Sequence, residues 1–237
     1  MTEEQAANPK PSDLKTRIIS GVVMAVAALG LLWLGGIAFL IGVIILGGMV
    51  FLEFSQLVDK FAHTLTQRLC WKAFGLIYVS AAVWALWFLR EGQPDGLDGF
   101  TSALSVMAIV WAVDVFAYFT GRAIGGPKIW PAISPSKTWA GLFGGIVGAS
   151  LVVTVVFATE SGAQVAPIMI PFILVLGAIL AVVAQAGDFF ESWMKRRAGV
   201  KDSGTLIPGH GGVFDRVDGL LPVVILVALA GKAVLAG

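Results

Sequence analysis

Asp188, Asp215 and Asp218 fall within one polar passage, Gln185–Asp218, together with Lys195, Arg196, Arg197, Lys201, Arg216 and His210. The same passage carries a glycine-rich turn, Pro208-Gly209-His210-Gly211-Gly212. Carboxylates, cations and exposed backbone N–H groups in such proximity suit a divalent cation that holds phosphates. Hard cations take oxygen ligands, usually one or two carboxylates with phosphate oxygens and water. Asp188 with Asp215 is the preferred ligand pair, while Asp218 is either a further ligand or the partner that holds Arg216. Gly211 and Gly212 let main-chain N–H groups approach a phosphate with no side chain in the way. The alternative, a plain loop joining two helices, needs neither the His nor the three carboxylates.

The elements that must position these groups belong to a membrane. Of the 237 residues 57% are hydrophobic and 13% charged, with mean hydropathy +0.88; a soluble domain has about 25% charged residues. Seven segments approach the roughly 20 apolar residues that a span needs: Ile18–Leu34, Ile37–Leu57, Ala73–Leu89, Phe100–Phe119, Trp139–Ala158, Ala166–Gln185 and Gly219–Ala236. Gly35-Gly36 makes the first two a tight hairpin. A helix over Asp188–Ala198, stopped at Gly199, puts Asp188, Glu191, Ser192 and Lys195 on one face and Phe189, Phe190, Trp193 and Met194 on the other. It is expected as a short cytoplasmic interfacial helix with its apolar side in lipid. The fold expected is therefore an all-α polytopic membrane protein of about seven transmembrane helices. Residues 1–17 form a polar cytoplasmic N-terminus without a cleaved signal peptide, and 18–237 form a single integral-membrane catalytic domain.

The Lys/Arg distribution orients the spans. With the N-terminus in the cytoplasm, only Arg90 and Lys232 fall toward the outside, and the polar passage lies inside. A single cysteine, Cys70, excludes an intrachain disulfide and a Cys-type metal cluster.

The run Ser192-x-x-Lys195-Arg196, Lys201-Asp202-x-Gly204, Pro208-Gly209-His210-Gly211-Gly212, Asp215-Arg216-x-Asp218 resembles the signature of the integral-membrane phosphatidate cytidylyltransferases. That resemblance implies transfer of CMP from CTP to phosphatidate, giving CDP-diacylglycerol and pyrophosphate, with Mg2+ as cofactor. It implies a catalytic group of Asp188, Asp215, Lys201, Asp202, His210, Arg216 and Asp218, with Ser192, Lys195, Arg196, Gly211 and Gly212 contacting substrate. Because a phosphate monoester has a second pKa of about 6 and is already an anion at neutral pH, no general base is required. His210 is therefore assigned to phosphate contact or site organisation, ahead of metal ligation.

A second region, Asp114-x-x-Ala117-Tyr118-x-x-Gly121-Arg122 and then Ser134-Pro135-Ser136-Lys137-Thr138-Trp139-x-Gly141, resembles the family's other recurrent motif. Ser134, Lys137 and Thr138 stand before the fifth span, where a helix N-terminus favours anions; they are candidate phosphate contacts, with Lys137 also in the catalytic group and Arg122 beside them. Ala140 stands where the family commonly has Glu, so no carboxylate is placed there. Asp114, inside the fourth span, either joins the substrate site or pairs structurally, for instance with Lys137. The small residues Gly141, Gly144, Gly145 and Gly148 indicate close helix packing, within the chain or between subunits of a homodimer.

The expected partners are CTP, phosphatidate and the lipid bilayer, with no nucleic acid. The expected location is a bacterial-type inner (cell) membrane, with the active site facing the cytoplasm. CTP-dependent transfer to another lipid phosphate and a related lipid kinase are the alternative reactions. An ion or anion transporter is a more distant alternative, disfavoured because the polar groups gather at one face instead of the midplane.

Overall fold

The computed structural model describes residues 11–92, 98–161, 165–207, 209 and 211–235. Helices α1 (Pro11–Leu34) and α2 (Gly36–Phe61) form the expected hairpin, turning on Gly35 (φ 62) and Gly36 (φ 54). Both dihedrals lie in the left-handed region that glycine enters at little cost. Helix α3 (Leu65–Glu91) starts with a capping box between Thr64 and Gln67, which satisfies two orphan donors at once. Its far end braces the first turn: Arg90 Nε donates to the Leu32 carbonyl at 2.8 Å, and Glu91 Oε1 accepts from the Gly36 N–H at 2.7 Å.

Helix α4 (Gly99–Ile124) is capped by Asp98, whose carboxylate accepts from the Thr101 N–H at 3.0 Å. A two-stranded antiparallel hairpin follows, β1 (Lys128–Trp130) and β2 (Ser134–Thr138), leading directly into α5 (Trp139–Ser161). After one 3-10 turn at Pro167–Met169 comes α6 (Ile170–Ala198), the longest helix at 29 residues; it stops at Gly199, φ 68, as the sequence predicts. A single turn, α7 (Phe214–Val217), precedes α8 (Leu220–Leu235).

The described helices α2 to α6 are long and apolar enough to cross a membrane, and apolar stretches of α1 (Ile18–Leu34) and α8 (Leu220–Lys232) are shorter. The chain is thus an all-α polytopic membrane protein, with one small β-hairpin among the described residues.

Two expectations are sharpened or corrected. The glycines of α5 lie along α4 of the same chain: a methyl group on Gly148 would fall 2.7 Å from the Ala112 carbonyl oxygen, and one on Gly141 would fall 3.0 Å from that of Ala117. Residues 188–198 are no separate interfacial helix. They prolong α6 without a break, since nothing after Gln185 interrupts helical geometry. The expected facial pattern is present, but the aromatic side meets protein instead of lipid. Phe190 packs on Phe54 and Phe74 with ring centroids 6.4 and 6.0 Å apart, Trp193 on Phe61 and Trp71, and Met194 is fully buried. Phe189 alone turns toward the polar end, under the Lys137 ammonium.

Candidate active site

The polar end of the bundle contains two adjoining clefts. The first, of about 470 Å³, is lined by α6, the β-hairpin, α4, the 201–202 turn and the α7 region. It gathers Asp188, Ser192, Lys195, Arg196, Lys201, Asp202, Asp215, Arg216 and Asp218 with Ser134 and Lys137. Most of the predicted site residues therefore share one cavity, although they come from distant parts of the sequence. The second cleft, of about 510 Å³, is lined by Asp114, Tyr118, Arg122, Lys128, Ser136, Thr138, Gly141 and Gln185. Asp114, Ser136, Lys137 and Asp188 line both.

Local folding explains how each group arrives. Asp188, Glu191, Ser192 and Lys195 project from the last three turns of α6 at helical spacing. Gly187 lets α8 come close: a methyl there would fall 2.8 Å from Pro222 Cγ, and this approach sets the Asp218 turn beside Asp188. Lys137 belongs to strand β2 and not to a helix start. The strand was missed because its segments of three and five residues are too short for a period to emerge. Thr138 is buried and caps α5, accepting from the Gly141 N–H at 3.0 Å. Ser134 is also buried, at the floor of the first cleft.

Two Lys–Asp pairs organise the charge. Lys137, the lysine expected as a structural partner for Asp114, pairs among the described residues with Asp188 instead. Lys195 Nζ lies 2.6 Å from both Glu191 Oε2 and Asp215 Oδ1. The other oxygen of Asp215 accepts from the Ser203 N–H (2.9 Å), the Ser203 hydroxyl (3.0 Å) and the Gly212 N–H (2.9 Å). Burial pushes the Asp215 carboxyl up, but the neighbouring Glu191, which keeps the proton of the two carboxyls, together with the Lys195 ammonium and these main-chain groups outweighs it and holds Asp215 well below the usual carboxylate range. Asp218 is shifted the opposite way, raised by burial and then by the neighbouring Asp188 charge.

The Gly212 N–H, expected to approach a phosphate, here donates to the Asp215 carboxylate. Gly211, φ 84, closes the loop through its carbonyl, which accepts from the Ile207 N–H at 3.0 Å. Arg196 Nε donates to the Ile133 carbonyl at 3.3 Å, tying α6 to the β-hairpin, and Arg122 donates to the Tyr118 hydroxyl at 2.9 Å. His210 lies outside the described residues.

A divalent cation fits this donor set. The lining carboxylates offer oxygen only, and Glu191, fully buried at the cavity, has an Oε1 without a hydrogen-bond partner. Among the described residues no group of three or more acidic, His or Cys side chains converges as a ready metal cage.

Residues missed in the sequence are Glu53, Ser203, Ser136, Lys128 and Gln185. Glu53 had a signal, being the one charged residue in the apolar span Ile37–Leu57. Its side chain is buried and accepts hydrogen bonds from the loop that carries Asp215.

Residues 64–234 match the family model described as the cytidylyltransferase family. The chain belongs to the cytidylyltransferase family. A phosphatidate cytidylyltransferase of Brucella abortus is 36% identical over 265 aligned residues, covering 93% of this chain and 94% of the relative. One from Rickettsia bellii is 34% identical, covering 92% and 91%. One from Haemophilus influenzae is 40% identical over 136 residues, covering 57% and 47%. The family match spans both clefts and every described predicted site residue.

Proposed function

We propose that this chain is a phosphatidate cytidylyltransferase that transfers CMP from CTP to phosphatidate in phospholipid biosynthesis. The observation that carries the reading is the pair of clefts meeting at Lys137 and Asp188. The first, with Lys195, Arg196, Lys201 and Arg216 around it, suits a triphosphate; the second, with Arg122 and Lys128 beside Ala117 and the Tyr118 ring, suits a lipid phosphate. A phosphatidate oxygen attacks the α-phosphorus of CTP, a new P–O bond forms, and the bond from that phosphorus to the β-phosphate bridging oxygen breaks to release pyrophosphate. Lys137 stands where the two phosphates meet and neutralises charge on the attacked group. The α6 and 201–216 cations hold the departing pyrophosphate. No base is needed, because the phosphate monoester is already ionised.

Asp188 and Asp215 are the residues that would hold Mg2+, each exchanging a lysine partner for the ion. When bound, Mg2+ supplies charge neutralisation for the phosphate oxygens. The bundle crosses the membrane seven times with its N-terminus and both clefts on the cytoplasmic side, in a bacterial-type inner membrane. This orientation is supported by the concentration of Lys and Arg at the cleft end.

The test is incubation of the purified protein with labelled CTP and a panel of lipid phosphates. CDP-diacylglycerol and pyrophosphate are expected with phosphatidate. A phosphorylated lipid with CDP as co-product identifies a kinase instead, and no lipid product with any acceptor rejects the proposal.

A further inference from the structure

We propose that Glu53 is a positioning residue for the reaction, acting from α2 through the loop that delivers Asp215. The inference rests on the reading of Asp215 as a site carboxylate. Glu53 is 1% exposed, on a helix that is otherwise nearly all apolar through its membrane-spanning part. A buried carboxylate is retained only where donors surround it. Its Oε1 accepts from the Val213 N–H at 3.0 Å, and its Oε2 accepts from the Phe214 N–H at 2.8 Å. The Ser203 hydroxyl lies 2.9 Å from Oε2.

These three donors come from both ends of the loop, and Asp215 is the next residue along the chain. Ser203 also reaches Asp215: its hydroxyl lies 3.0 Å from Asp215 Oδ2, and its N–H donates to the same oxygen. A hydroxyl has one proton and serves one carboxylate at a time. Asp215 nevertheless keeps two main-chain donors, so the rigid link from Glu53 runs mainly through the Val213 and Phe214 amides.

Anchoring of the loop and aiming of Asp215 are separable here. Phe54, the next residue on α2, packs on Phe214 with ring centroids 6.1 Å apart and is fully buried. That apolar contact keeps the loop on α2 whether or not Glu53 is charged. Glu53 fixes the direction of the 213–214 peptides and with it the angle at which Asp215 enters the cleft. Gly204 and Gly212 allow the approach, since a methyl group at either would collide with the Glu53 carboxylate.

The experiment uses the full chain in detergent or nanodiscs with Glu53→Gln, which keeps the shape and turns one acceptor into a donor facing an N–H. Hydrogen exchange of the 212–215 segment is expected to accelerate at least tenfold, with exchange in α4 and α5 unchanged. The kcat for CDP-diacylglycerol formation is expected to fall about a hundredfold, with the KM for CTP within about threefold. The double variant Glu53→Gln/Asp215→Asn should be no slower than Asp215→Asn alone, because Glu53 acts only through that side chain. Ser203→Ala, which leaves the Val213 and Phe214 amide bonds in place, should reduce kcat between about three- and tenfold; if Glu53→Gln does not fold, an unchanged kcat in Ser203→Ala overturns the proposal.

Accelerated exchange with kcat within twofold of wild type overturns the proposal in favour of a purely structural clamp. Unchanged exchange overturns the contact itself. Additive losses in the double variant overturn the route through Asp215. Should the unmodified protein make no CDP-diacylglycerol at all, the proposed function fails separately, since the exchange arm still judges the Glu53 contact without turnover.

Discussion

Charged residues occupy both ends of the helical bundle, and they do different work. At the α1–α2 turn, Arg90 and Glu91 lie 3.2 Å apart and each holds main chain of the opposite hairpin. At the other end the same residue types line a cavity, and the acids and bases there pair across elements far apart in sequence, as Lys137 with Asp188 and Lys195 with Asp215 do. The first arrangement satisfies backbone groups that a membrane would otherwise leave unpaired. The second leaves charge facing an opening. Convergence on a concavity, more than charge itself, separates a site from a brace.

The contrast breaks most sharply at the carboxylates. Asp188→Asn and Asp215→Asn should each lower CDP-diacylglycerol formation about a thousandfold, equivalent to about 4 kcal/mol of transition-state stabilisation. The double variant should lose little more than either alone. Rates measured across a magnesium titration check this; near-normal activity with unaltered magnesium dependence in either single variant removes that residue from the shared site.

Lys137→Ala should follow, with a loss of about a hundredfold in kcat/KM and no change in the unfolding profile in detergent. Kinetics unchanged with both substrates would make Lys137 only a partner for Asp188. At the opposite end, Glu91→Gln should behave in the reverse manner, with turnover within about twofold and a loss of about 1–2 kcal/mol of stability as the Gly36 N–H loses a charged acceptor. A thermal melt beside a turnover assay reads both; a large loss of activity without loss of stability would dissolve the distinction between the two ends.

Local features were legible in the sequence. The Gly35-Gly36 turn, the stop at Gly199 and the apolar segments depend on neighbouring residues, and the structure reproduces them. The clustering of Asp188, Lys195, Asp215 and Asp218 was also legible, because all four fall in the one polar passage between two apolar segments. What escaped depends on contacts between residues far apart in the chain. Glu53 meets Ser203, Val213 and Phe214, and no periodicity connects them. The aromatic face of α6 was recognised as apolar, but its burial against Phe54, Trp71 and Phe74 rather than in lipid depends on where α2 and α3 pack.

The glycine line of α5 has one more consequence. From Gly141 to Gly148 the helix presents backbone directly to α4, with the Ala117 and Ala112 carbonyls where side chains would otherwise stand. Around Gly145 and Gly148 such a seam leaves no crevice to widen, so α4 and α5 form one wall there, and its Gly141 end borders the second cleft.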